Sequence, residues 1–98
     1  MAMPVVDCTH KPLGYQQITS LSAATGLTVP SGANRASITA EAQTVRWRDD
    51  GTNPTASVGM PITAGNGKWY IGDLTKIKFI QATSGGILNV AYYSENSQ

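Results

Sequence analysis

Two stretches of this sequence hold side chains whose types could do chemistry together. They are Asp7-Cys8-Thr9-His10 near the start and Arg46-Trp47-Arg48-Asp49-Asp50 near the middle. Cys8 and His10 are the chain's one cysteine and one histidine. A thiol, an imidazole and a carboxylate this close suggest metal ligation or a Cys/His nucleophile. Structural zinc needs four ligands, and the sequence has no further Cys or His to complete the set. A catalytic Cys/His pair converges on one pocket, usually from distant segments, and neighbours on a terminal arm rarely do so. The stretch reads as a small polar arm, with no metal and no cofactor expected.

The carboxylates Asp7, Glu41, Asp49, Asp50, Asp73 and Glu95 are too few and too scattered to specify a glycosidase pair, which needs two groups opposed across a substrate. Asp49-Asp50-Gly51 is the signature of a turn, because Asp bonds its own backbone and Gly accepts positive φ. Gly65-Asn66-Gly67 lacks the Lys-Ser/Thr and the strand–helix setting of a phosphate loop. No serine stands in a nucleophile elbow. The expectation is a protein that is not an enzyme.

Arg46 and Arg48 alternate with Val45 and Trp47, so in a strand the two arginines share one face and the apolar pair the other. Asp49 and Asp50 then lie within reach for charge-assisted bonds. Two readings stay open. The segment is a self-contained strand end and turn, or Arg46, Arg48, Asp49 and Asp50 form an interface offered to a neighbouring subunit. Trp47 is expected in the core beside Ile38, Val58 and Phe79. Trp69-Tyr70 and Tyr92-Tyr93 are adjacent pairs, so one member of each must leave the core. Trp69 and Tyr93 are the candidates for stacking on a sugar, Trp69 with Asn66 and Asp73 in a concave site, although a subunit interface explains the same aromatics.

These residues must be positioned by strands. Turn residues recur at Pro12-Leu13-Gly14, Pro30-Ser31-Gly32, Asp50-Gly51, Gly65-Asn66-Gly67, Gly72-Asp73 and Gly85-Gly86. The intervals between them are short, alternating and β-branched. Strands are expected at 16–21, 27–29, 36–42, 45–47, 55–62, 68–71, 75–82 and 87–93. Ala36, Ile38, Ala40, Ala42, Ala56, Val58, Met60, Ile62, Ile77, Phe79, Leu88, Val90 and Tyr92 should face inward. Either a bulge at Gln43-Thr44 or a corner reconciles the phases of the third and fourth strands. Hairpins are expected across Gly65-Asn66-Gly67 and Gly85-Gly86, with Pro61 at a sheet edge. The architecture is an all-β antiparallel sandwich, jelly-roll-like, or a small barrel of about eight strands. Residues 1–14 read as an arm, 15–93 as the domain and 94–98 as a loose tail.

At 98 residues there is room for one domain. The net charge is +1 and only 13% of residues are charged, about half the usual share of ~25%. That removes the electrostatic driver for nucleic acid or an anionic membrane. No apolar run approaches the ~20 residues needed to span a bilayer, and the N-terminus lacks a signal-peptide pattern, so cytosolic synthesis is expected. In place of charge stand 19 Ser and Thr and 11 Ala, a weakly solvated surface suited to meeting its own copies. Closed symmetry satisfies open strand edges, and a trimer ranks slightly ahead of a hexamer or dodecamer.

Over residues 15 to 93 the chain resembles small structural proteins of tailed bacteriophages. The resemblance is carried by the Tyr15–Leu21 strand and by Leu27-Thr28-Val29-Pro30-Ser31-Gly32-Ala33. It continues through Val45-Arg46-Trp47-Arg48-Asp49-Asp50-Gly51, Pro54-Thr55 and Gly59-Met60-Pro61 to Leu88-Asn89-Val90-Ala91-Tyr92-Tyr93. It implies a late virion protein, present in many copies as a capsid decoration (cement) or head–tail neck subunit. Such a protein is assembled in the host cytoplasm against its own copies and the major capsid or neck proteins. The alternative reading is a carbohydrate-binding module of a phage tail or cell surface.

Overall fold

Alternation carries this chain into two antiparallel sheets, seen in a computed structural model that describes residues 10–95. The strands are β1 (His10–Ile18), β2 (Arg35–Glu41), β3 (Val45–Arg48), β4 (Met60–Ile62), β5 (Gly67–Ile71), β6 (Lys78–Gln81) and β7 (Ile87–Glu95). The sheets have the orders β1-β7-β2-β5 and β4-β3-β6. Among the described residues there is no helix.

Residues 21–25 run along the free side of β6. Thr25 exchanges both backbone bonds with Phe79, and Gln81 N–H donates to the Leu21 carbonyl. With that segment standing as an eighth strand, the two four-membered layers have the order of a jelly roll. The inward residues of both layers meet in one core. Ala36, Ile38, Ala40, Val45, Ile77, Phe79, Leu88 and Val90 are all fully buried, as every-second-residue burial requires.

Several local expectations give way to this topology. The first strand begins at His10 rather than Gln16 and ends at Ile18, so the sheet takes in residues 10–14 of the expected arm. A bulge between Pro12 and Gly14 absorbs Leu13, which turns to the core. At the other end Ser94 and Glu95 pair with Lys11 and His10, so the sheet also takes in part of the expected tail. Leu27 and Val29 pack on the core from an irregular segment and form no strand.

Between β2 and β3 the chain turns a corner instead of bulging. Ala42 takes φ 74°, is exposed rather than inward, and carries the chain from one sheet to the other. The turns at Gly65-Asn66-Gly67 and Gly85-Gly86 are likewise crossings between sheets, since β4 and β6 lie in one layer and β5 and β7 in the other. In a jelly roll most sequence neighbours are not sheet neighbours, and local turn chemistry cannot show that. β4 does sit at an edge, as Pro61 requires. It is only three residues long, and Ala56, Val58 and Met60 before and within it are exposed rather than inward.

Candidate functional site

Trp47 sits where the sandwich opens. The inner-face row of the smaller sheet reads Phe79, Trp47, Met60 across β6, β3 and β4. Phe79 is fully buried and Met60 is 58% exposed. Trp47, between them, is half-buried and packs against the core from its margin. It is therefore not the central anchor that its alternation suggested; Phe79 and Tyr92 are the largest fully buried side chains. The reason is that β5 is the last strand of the larger sheet, so the far part of β3 has less above it. Tyr70 meets the indole edge-on at 5.9 Å between centroids, and the Lys68 ammonium lies 4.5 Å over its ring. Open depressions flank this indole. One, of about 570 Å³, is lined by Trp47, Val58, Met60 and residues 48–50. The other, of about 240 Å³, runs along Met60–Ile62 to Asn66 and Lys68.

The charged residues around Trp47 are engaged within the chain. Arg48 grips Asp50 with two bonds, Nε to Oδ1 at 3.1 Å and Nη2 to Oδ2 at 2.5 Å. That pairing holds the Asp50 carboxyl below its ordinary range and raises the Arg48 guanidinium. Asp50 also accepts from Thr52 N–H, and Gly51 takes φ 90°, as the turn reading requires. Arg46 donates to the carbonyls of Ala56 at 3.1 Å and Gly59 at 3.0 Å, which ties down the loop before β4. Asp49 accepts the Tyr70 hydroxyl at 2.7 Å. Burial first, and this bond second, push the Tyr70 phenol up to about 12. These bonds within the chain build the strand end and turn.

The other aromatic candidates do not join Trp47. Trp69 and Tyr93 are on the outer face of the larger sheet, their rings 5.3 Å apart and tilted. They join across β2, where Ser37 pairs with Trp69 and Arg35 with Tyr93. Asn66 and Asp73 do not gather around Trp69 as expected. Asn66 bonds Thr63 and Asp73 bonds Thr75, each within its own turn. The depressions described above lie at Trp47, not at Trp69.

Sequence reasoning missed two features. Tyr15, 64% exposed, and Ile71, 58% exposed, share the outer face with Trp69. Their register across four strands was the needed signal, and it exists only after the strands pair. The second is the polar chain on that face, in which Tyr15 and Gln17 donate to Asn89 Oδ1 and Asn89 Nδ2 donates to Glu41. Asp7 and Cys8 lie outside the described residues. Among those described, no three His, Cys, Asp or Glu side chains gather as a ligand set. Compared with known proteins, the chain matches no family model, no curated protein and no solved structure.

Proposed function

We propose that this protein is a non-enzymatic structural subunit that works by adhesion to its own copies and to a larger assembly, the virion of a tailed bacteriophage. The observation that carries the adhesive part is the outer face of the β1-β7-β2-β5 sheet. Among the described residues no second layer packs there, and it exposes Tyr15 on β1 at one edge and Trp69 and Ile71 on β5 at the other. Large apolar side chains exposed on an uncovered sheet face are a mark of an interaction surface. The virion part rests on the resemblance over residues 15 to 93. The jelly-roll order supports it by fold analogy only, because capsid subunits and lectins both use it. An assembled form is stabilised by mass action by whatever binds it alone, which is how a decoration or neck subunit would act.

The test is to express the gene in its producing cells, purify the particles on a density gradient and look for this chain's peptides by mass spectrometry. Light scattering of the isolated protein across the micromolar range is run alongside. Peptides that sediment with particles, together with self-association, support the proposal. A protein that is monomeric throughout and absent from particles sinks it.

The carbohydrate reading is favoured by one observation, the depressions beside the half-buried Trp47. An indole next to Asp50, Arg48 and Asn66 offers a ring plane and polar neighbours. A shift of tryptophan fluorescence on adding oligosaccharides, lost in Trp47→Phe, would establish it over the structural reading.

A further inference from the structure

We infer that Asn66-Gly67 is a site of spontaneous covalent modification, at which the chain converts the Asn66 amide to a carboxylate. The inference is independent of the adhesive reading. Asn66-Gly67 is the chain's one Asn-Gly step. The reaction needs the next peptide nitrogen to attack the asparagine side chain, and glycine leaves that approach open because it has no Cβ. The other asparagines are followed by Arg35, Pro54, Val90 and Ser97. Three of those crowd the nitrogen with a side chain, and proline has no N–H to give up. Asn66 and Gly67 are both exposed, where the chain leaves a turn and enters β5. The Asn66 carbonyl accepts from Ala40 N–H, so it points at β2. Across a trans peptide the Gly67 N–H points the opposite way, to the side of β5 on which no described strand pairs. The nucleophile therefore stands outside the ladder. The amide is held by the turn: Nδ2 donates to Thr63 Oγ1 at 2.7 Å, and Asn66 N–H donates to the Thr63 carbonyl at 2.9 Å.

Exposed turns open locally at small cost. When this one opens, the Gly67 nitrogen loses its proton to hydroxide and bonds to Asn66 Cγ. The Cγ–Nδ2 bond breaks, and the side-chain nitrogen leaves as ammonia after taking a proton from water. Water then hydrolyses the five-membered imide at either carbonyl. Attack at the side-chain carbonyl leaves aspartate. Attack at the main-chain carbonyl leaves isoaspartate, whose backbone is one methylene longer. Either product takes the formal net charge from +1 to zero. Either also places a carboxylate in the depression that Asn66 lines with Trp47 and Lys68, where the Lys68 ammonium lies over the indole. The two products differ in their effect on the sheet. Gly67 lies so close to β2 that a Cβ there would be 2.6 Å from the Ile38 carbonyl oxygen. A longer backbone at this point shifts β5 against β2 and loosens the pairing of Gly67 with Thr39, whereas plain aspartate leaves the backbone as it was.

The full chain is aged at mildly alkaline pH and mapped by peptide mass spectrometry, with an isoaspartyl methyltransferase to count the isoaspartate form. The mass gain of an amide-to-acid exchange should appear at position 66 ahead of every other asparagine, as two isomers. Its rate should rise with hydroxide concentration. Asn66→Gln should lose it, because the longer side chain closes its ring poorly. Thr63→Val removes the acceptor that holds the amide and should speed the reaction roughly 2- to 10-fold, the worth of one ordinary hydrogen bond. Circular dichroism shows that each variant is folded. Asn66→Asp, which makes one product directly, should melt close to the parent, whereas aged protein rich in isoaspartate should melt lower. If position 66 stays an amide in the folded chain, whether or not the urea-unfolded chain converts, the proposal is overturned. It is equally overturned if another asparagine converts first. Equal rates in the parent and Thr63→Val would overturn the restraint assigned to the turn.

Discussion

Trp47→Ala separates a marginal indole from a central one. An aromatic side chain buries about 150–250 Å² when fully enclosed. Trp47 is half-buried, so truncation to alanine removes roughly 100 Å² of contact, or about 2.5 kcal/mol at ~25 cal/mol per Å². Losing the edge-on contact with Tyr70 adds about 0.5–1.5 kcal/mol. Residual burial in the unfolded chain takes back some 10–40% of the area term. The usual cavity penalty does not arise, because the space left opens into the depressions beside Trp47 and fills with water. The expected cost is about 2–4 kcal/mol, a fall in melting temperature of roughly 10–30 °C for a domain of this size. Phe79→Ala, in the sealed core, should cost more, about 3–5 kcal/mol. Urea unfolding of both variants at neutral pH measures the pair. If Trp47→Ala costs as much as Phe79→Ala, the indole is enclosed and the open end of the sandwich is wrong. If it costs under about 1 kcal/mol, the indole is not packed at all.

The two arginines beside Trp47 should part company. Arg46→Ala frees the Ala56 and Gly59 carbonyls and should cost about 1–3 kcal/mol, with faster hydrogen exchange across residues 54–59. Arg48→Ala should leave the melting temperature nearly unchanged, because its pair with Asp50 is in solvent. Gly67→Ala drives a Cβ into the Ile38 carbonyl and should lose about 1–3 kcal/mol in thermal melts, whereas Gly51→Asn, at an open turn, should be tolerated. At high pH, Tyr70 and Tyr92 should ionise late, since burial pushes both up to about 12. The fold holds the neutral phenols, so their contribution is whole below an unfolded pKa of ~10 and is lost as pH rises toward the folded value. Phenolate absorbance should therefore show a late phase that coincides with loss of structure, and Tyr70→Phe should diminish it.

Much was legible in the sequence because it depends on neighbours along the chain. Alternation placed Ile38, Ala40, Phe79, Leu88, Val90 and Tyr92 in the core, since successive side chains in a strand point to opposite faces whatever the strand pairs with. The Asp50-Gly51 turn, with its side-chain bond to Thr52 and positive φ, followed from residue type alone. So did the edge position of β4, because a proline has no N–H to give a ladder.

Other features were decided only by tertiary structure. Whether Gly65-Asn66-Gly67 closes a hairpin or crosses between sheets depends on which strand β5 meets, and its partner β2 lies some thirty residues away. The Trp47 phase was right, but its burial depends on how far the opposite sheet extends over β3, which no local pattern encodes. Tyr15, Trp69, Ile71 and Tyr93 come from three strands and share a face only because β1, β7, β2 and β5 pair in that order and register. Period and turn chemistry are properties of short segments. Strand order, and with it every surface built from several strands, is fixed by non-local pairing that one segment cannot carry.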